Sequence, residues 1–520
     1  MISLHEVAKN EFNLATRQVK EIIYLLIDKE KEDPRSRGKH DKTPLHCAAE
    51  NRSNTAIETI KLLIGRKADP NMEDDCGRTP LHYAAQNESN SATEIVKLLI
   101  ETGADPNEED DEGKTPLHYA AINSSDSAQE TIKLLLEEGA DPNKKDIWKM
   151  TALHFVVSNA SNQALEIAQL LIEKGANVNE LDYWKRTPLH LADRNKSNIA
   201  IEIINLLIEN GAQSNEKDYW KKAPLHYAAR NESNIATNQA LEIIESLVEK
   251  GAADPNEEGG KHNRTPLHYA AKNASNSALE TTILLIKKGA NPKKIDNFKR
   301  EPLHYAVQNQ SNTTLEIVKL LIENGADPNR ADEHHRTPLH YAVVNKSNQT
   351  FEIVKFLLEK GAYYTNQDLF KFTPLQQAAS GESKEALKIT QLLIEIGADA
   401  NEVDDWSSKA LNRALNKTNI EPEMIKLLIA KGADPNKESI LRRKSPLHIA
   451  AKSQSTTASE AIRLLIEAGA NPNRKDEDNK TPLHYAKLNE SIEQEIIELL
   501  RHDTETGELV DDGFSQCTIF

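Results

Sequence analysis

Apolar residues recur along this chain in a fixed template. Within residues 79–103, Leu81, Ala84 and Ala85 form a short apolar group. A polar stretch, Asn87-Glu88-Ser89-Asn90, follows, and Ile95, Val96, Leu98, Leu99 and Ile100 then recur at helical spacing. The pattern predicts helix, loop, helix. Thr79 reads as an N-cap with Pro80 at the first helical position, where its missing N–H costs nothing. Ser91-Ala92-Thr93-Glu94 reads as a capping box opening the second helix. Gly103 is expected to end that helix in the left-handed conformation, and Pro106 to prevent its continuation. About eight residues then form an exposed turn, a projecting finger, before the template starts again at Thr115. One such helix pair cannot cover its own apolar faces, so neighbours must stack.

The tetrapeptide T-P-L-H or a near variant begins at Thr43, Thr79, Thr115, Thr151, Thr187, Ala223, Thr265, Glu301, Thr337, Thr373, Lys409, Ser445 and Thr481. Successive starts are 36 residues apart, except from Ala223 to Thr265, where the interval is 42. A degenerate start lies at Leu4-His5-Glu6-Val7-Ala8. The expected organisation is an N-terminal capping repeat over 1–42, an array of thirteen repeats over 43–500 that is irregular at 223–264 and 373–444, and an acidic flexible tail over 501–520.

This pattern resembles the ankyrin repeat, whose T-P-L-H-x-A signature stands here as Thr79-Pro80-Leu81-His82-Tyr83-Ala84. The resemblance covers roughly residues 1–500. It implies an all-α solenoid, elongated and curved, with helix–turn–helix repeats, projecting fingers and a concave face made of fingers and first helices. The family repeat has about 33 residues. The extra ones here lie between the two helices, in an N-x-S-N loop. Gln376 and Asn412 replace the histidine and Ala410 the proline, so local packing there is expected to differ.

Mean hydropathy is −0.62 and no apolar run approaches the length of a membrane span. The opening MISLHEVAKNEFN has neither a basic nor an apolar signal region and predicts no signal peptide. The net charge of −17 argues against nonspecific binding of nucleic acid or anionic membranes. Three cysteines make no disulfide framework and no four-cysteine zinc site. A cytoplasmic or nuclear setting is the expectation.

Twelve of the 17 histidines occupy the T-P-L-H register, where the resemblance implies hydrogen bonds linking adjacent repeats. His334-His335 offers only two ligands, too few for a metal site. No P-loop, dinucleotide fingerprint, nucleophile elbow or H-E-x-x-H occurs. We therefore expect no enzyme, no catalytic residue, no metal, no cofactor and no small-molecule substrate. Ten Asn-x-Ser sequons, from Asn51 to Asn489, read as turn chemistry: Asn tolerates left-handed backbone and Ser caps the second helix. A second series, such as Asn107 after Asp105-Pro106, is similar to the sites of the asparaginyl hydroxylase that modifies ankyrin repeats.

The repeats serve as each other's control. Three residues before each T-P-L-H stand His40, Cys76, Glu112, Trp148, Trp184, Trp220, His262, Phe298, His334, Phe370, Trp406, Arg442 and Asp478. All four tryptophans fall in this register, with Tyr183 and Tyr219 beside two of them. The following positions are mostly basic: Lys149, Lys185-Arg186, Lys221-Lys222, Lys299-Arg300 and Arg336. The first fingers are acidic instead. Ankyrin fingers more often carry Gly here, and only Gly77 and Gly113 remain. Rings and Arg are the usual interface anchors. The candidate partner site is therefore Trp148, Tyr183, Trp184, Lys185, Tyr219, Trp220, Lys221, Phe298, Lys299, His334, Phe370 and Trp406, facing a protein segment with apolar anchors and acidic side chains. The competing reading has each ring packed on the adjacent finger and its Lys or Arg. Single-stranded nucleic acid would need a positive groove, which the acidic balance opposes.

In the tail, Cys517-Thr518-Ile519-Phe520 looks like a C-a-a-X prenylation box, with Cys517 as the lipidated residue. No polybasic segment precedes it, and one lipid anchors only weakly. Asp503-Thr504-Glu505-Thr506-Gly507-Glu508 is similar to the acidic turn read by the kelch-propeller adaptor of the oxidative-stress response. The expected function is a noncovalent protein-interaction scaffold or adaptor. The alternatives are a prenylated recruiter at the membrane periphery, acting as a host-directed effector, and a substrate adaptor of a ubiquitin ligase.

Overall fold

The structure, a computed structural model, describes all residues except 1, 2, 11, 12, 160, 193, 194, 196, 198, 231–236, 276, 404–408, 440 and 506–520. Among the described residues there are twenty-eight α-helices and no strand, with an isolated bridge between Gly259 and Arg264. No described helix is long and apolar enough to cross a membrane.

The template folds as its periodicity predicts. Pro80–Gln86 and Ala92–Glu101 are the two helices of one repeat. Leu81, Ala84 and Ala85 from the first, and Ile95, Val96 and Leu99 from the second, are fully buried. The small residues of the first helix let the pair approach closely. Gly103 closes the second helix at φ +99°, and its N–H donates to the Ile100 carbonyl.

The chain divides into two compact units: residues 1–270 with 283–290, and residues 271–282 with 291–520. In the first, the first helices pack in sequence from Leu4–Lys9 to Pro224–Arg230, and the second helices from Ala56–Ile64 to Thr237–Glu249. In the second, the same holds from Pro302–Ala306 to Pro482–Ala486 and from Thr314–Glu323 to Gln494–Glu505.

Histidine links consecutive repeats. The Thr79 N–H donates to His82 Nδ1 at 3.0 Å, and the Thr79 hydroxyl lies 2.9 Å from the same nitrogen. An N–H donor on Nδ1 fixes it as the acceptor, so the ring is neutral and Nε2 carries the proton. Nε2 then donates to the Lys114 carbonyl of the next repeat at 3.0 Å. Thr79 thus holds the N-cap place, but its hydroxyl serves the histidine rather than accepting from the helix.

Four local expectations are corrected. The capping box at Ser91 does not form: Ser91 is already near-helical (φ −90°, ψ −4°) and makes no side-chain cap. Among the described residues the sequon asparagines are not left-handed; Asn87 is extended (φ −68°, ψ 126°). Asn87 Oδ1 accepts the Ser89 N–H, while Nδ2 reaches back to the Ala49 and Asn51 carbonyls of the preceding repeat. Asn123 and Asn195, and in the second unit Asn345, repeat the contact. These amides are buried. The added loop is therefore a ladder of amide bridges between repeats.

Third, the six added residues of the repeat at Ala223 predict a kink or a longer loop around 231–264, but that repeat's second helix has 13 residues where its neighbour has 10, and Ala252 adds a left-handed step before the finger. Fourth, the two histidine replacements differ. Gln376 reproduces the bridge, with Oε1 accepting the Thr373 N–H at 2.9 Å and Nε2 donating to the Glu402 carbonyl at 2.8 Å. Asn412 does not; its buried Oδ1 and Nδ2 both lack a partner.

Candidate interaction surface

Nine fingers are built around a buried aspartate, and three others carry Gly38, Gly260 and Ile440 at that place. Asp74 Oδ1 accepts the N–H groups of Cys76 and Arg78, both at 2.9 Å, and Oδ2 accepts the Tyr83 hydroxyl at 2.6 Å. Burial opposes the Asp74 charge, but these donors and the Arg78 guanidinium prevail and hold its pKa at about 2. Asp110, Asp146, Asp182, Asp218, Asp296, Asp332, Asp368 and Asp476 hold the same buried place.

The residue two before T-P-L-H lies in the left-handed region in these fingers. Gly77 and Gly113 adopt it at +74° and +72°, and Lys149, Lys185 and Lys221 at +58°, +57° and +61°. Consecutive fingers are joined by main-chain hydrogen bonds: Tyr183 N–H to the Trp148 carbonyl and Tyr219 N–H to the Trp184 carbonyl, both 2.7 Å. The finger tips of the first unit therefore share one register.

In that unit the structure brings the rings together. Trp148 and Trp184 stack with centroids 5.5 Å apart and planes 7° from parallel. Tyr183 stands edge-on to both, and Tyr219 is edge-on to Trp220 at 5.8 Å. Arg186 covers one part of Trp184 at 4.7 Å while pairing with Asp182. Ring packing between fingers and exposure coexist: Trp148 stays 45% exposed, Trp220 47%, Tyr183 59% and Tyr219 68%. Lys185 and Lys221 are exposed beside them.

In the second unit the candidates are less continuous. Arg300 covers the half-buried Phe298 at 5.2 Å, with Lys299 exposed. His334 is exposed near Glu333, and Phe370 is exposed with Phe372 at 6.2 Å. Trp406 and Cys517, and with them the prenylation box, lie outside the described residues. The acidic hexapeptide extends into that same region. On the finger tips the sequence candidates leave out two exposed apolar residues, Ile147 and Leu369. They stand one place before the aromatic register, where Tyr183 and Tyr219 were the visible signal.

Among the described residues, Asp74, Asp75 and Cys76 are the group whose ligand atoms come within metal-binding reach of one another. The Asp74 carboxylate is already spent on the turn and on Tyr83, and Asp75 Oδ2 contacts His40 Nδ1 at 3.0 Å. The remaining donors are too few for a closed site. Asn107, in the second asparagine series, donates to the Gly139 carbonyl and accepts the Asp141 N–H, so both ends of its amide are engaged.

A family model described as ankyrin repeats (3 copies) matches this chain repeatedly, at 52–146, 125–218, 153–257, 197–296, 274–368, 348–439 and 419–508. No curated protein matches the chain. Ankyrin repeats are protein-interaction modules, typically non-enzymatic scaffolds. The repeated T-P-L-H helix pairs, the histidine bridges and the model matches from 52 to 508 lead to one conclusion: the chain belongs to the ankyrin-repeat family.

Proposed function

We propose that this protein is a noncovalent scaffold or adaptor, holding a partner protein on the finger row of its first compact unit. The observation that carries the reading is the group of rings at Trp148, Tyr183, Tyr219 and Trp220, each exposed, with the half-buried Trp184 stacked among them. Apolar rings at turn tips gain by being covered, and Tyr and Trp are favoured interface anchors. A cytoplasmic or nuclear setting goes with this reading, supported by a cysteine count of three, too few for a disulfide framework.

The test is a crosslinked pull-down from native cells with wild type beside the W148A/W184A/W220A variant, both checked by thermal unfolding. Partners lost from a variant that stays folded are the expected result. An identical partner set would overturn the assignment of the finger row.

A further inference from the structure

The left-handed position of the fingers carries a preference that stability alone does not account for. Glycine adopts this conformation without steric cost, and Asn better than most residues. The protein uses glycine there at Gly77 and Gly113 and asparagine at Asn263 and Asn479. Asp41, His335 and Arg443 also stand there, but beside the described Trp and Phe rings the residue is always lysine: Lys149, Lys185 and Lys221 in the first unit and Lys299 and Lys371 in the second, each with a Cβ in the disfavoured region. Strain kept at repeated surface positions points to a role for the side chain itself.

Lys149, Lys185 and Lys221 are all exposed. Among the described residues none of the three enters an ion pair, and the aspartates of their own turns face inward and accept main-chain N–H groups. The row therefore presents unneutralised ammonium groups alternating with Trp and Tyr rings. The net charge of −17 does not cancel this locally, because screening confines fields to about 8 Å at physiological salt.

Resting on the protein-binding reading above, we infer that the finger row takes an extended acidic segment of a partner protein. Its carboxylates pair with Lys149, Lys185 and Lys221, and its apolar side chains lie on the intervening rings. Spacing makes the inference specific. Neighbouring helices pack roughly 8–10 Å apart. An extended chain advances about 3.3 Å per residue. One finger step therefore corresponds to about three residues, and the matching segment carries an acidic residue at about every third position.

The probe is a display library of random peptides about twelve residues long, panned on the full chain. The variants are K149G/K185G/K221G and, separately, W148A/W184A/W220A. Glycine already serves at this position in Gly77 and Gly113, so the lysine variant is expected to fold with an unchanged or higher melting temperature. Peptides recovered on wild type should carry acidic residues about three apart with apolar residues between. They should bind the glycine variant roughly tenfold or more weakly. Recovery of no peptide, recovery of neutral or basic ones, or equal binding to the glycine variant would each overturn the inference. Peptides lost on the tryptophan variant but not on the glycine variant would sink only the acidic-segment inference. Peptides indifferent to both would sink the finger-row reading as well. A thymidine oligonucleotide run in parallel separates sources of negative charge. If it binds wild type more tightly than the peptides and is lost on the glycine variant, the ligand is a nucleic-acid phosphate backbone and the protein-segment assignment fails.

Discussion

Asp74 and Asp146 occupy the same place in sister fingers, yet their carboxyls shift in opposite directions. Asp74 meets the Tyr83 hydroxyl and the Arg78 guanidinium. At Asp146 those two places are taken by Phe155 and Met150, Oδ2 has no partner, and burial pushes the pKa up. The Trp148 finger is thus built on the less satisfied of the two turns. Phe155→Tyr should return the hydroxyl that Tyr83 supplies, stabilising the protein by about 1 kcal/mol in denaturant unfolding and lowering the Asp146 pKa. An unchanged midpoint would show that Oδ2 is served in another way. In the sequence the loss of Tyr and Arg was visible as letters. That both had been partners of one buried oxygen was not, because Phe155 lies nine residues from Asp146 along the chain.

At the scale of elements, the joint between neighbouring first helices depends on a side chain long enough to span two repeats. His82 does so, and so does Gln376, whose amide supplies one acceptor and one donor at nearly the same reach. Asn412 is one methylene shorter and touches neither side. The buried Lys409 before it, in the threonine's place, turns instead to Asn401 Oδ1 at 2.9 Å. Asn412→Gln should close this joint, adding about 1–2 kcal/mol and slowing amide exchange in Ala410–Leu415. Exchange unchanged in that helix would refute the account. The sequence marked both Gln376 and Asn412 as departures from the histidine, but could not separate them. The difference is a bond length measured against the gap between helices. The asparagine loops make the same point. Their recurrence in ten repeats announced a shared role, and the structure gave that role to amide bridges rather than to turn conformation.

Across the whole molecule, the neutral histidines couple stability to pH. Burial lowers His46, His154, His226 and His304 to about 4, from the ordinary 6.5. Each has a folded pKa below its unfolded one. Its contribution is therefore complete above pH 6.5 and declines as pH falls toward 4, where the unfolded chain binds protons that the folded rings refuse. At pH 5 this amounts to about 2 kcal/mol per ring. Protonation would also place a hydrogen on Nδ1 against the incoming main-chain N–H. Glu301 works the other way. Burial raises it to about 7, so its favourable share is present at low pH and disappears as pH rises from 4.5 through 7. Four rings outweigh one carboxyl. Asp74, held at about 2, keeps its full stabilising share above pH 3.8 and loses it only as pH falls from there toward 2, so it does not act in this window. The melting temperature should therefore drop steeply between pH 6.5 and 4.5. A flat profile over that window would refute neutral, bridging histidines.

What the sequence by itself determined is the repeating frame: the period, the two helices, the glycine stop, the finger turn and the family. These follow from side-chain periodicity and backbone preference over a few residues, and each recurs from repeat to repeat, so accidents cancel. The tertiary structure alone decided which polar groups meet across repeats and which rings remain in water. Trp148, Trp184 and Trp220 share one register in the sequence, but whether a ring is covered depends on what the next finger places against it. Arg186 lies over Trp184, and Trp148 stacks on that same ring, while Tyr183 and Tyr219 stay mostly open. The distance between side chains some 36 residues apart sets such contacts, and no local pattern encodes it.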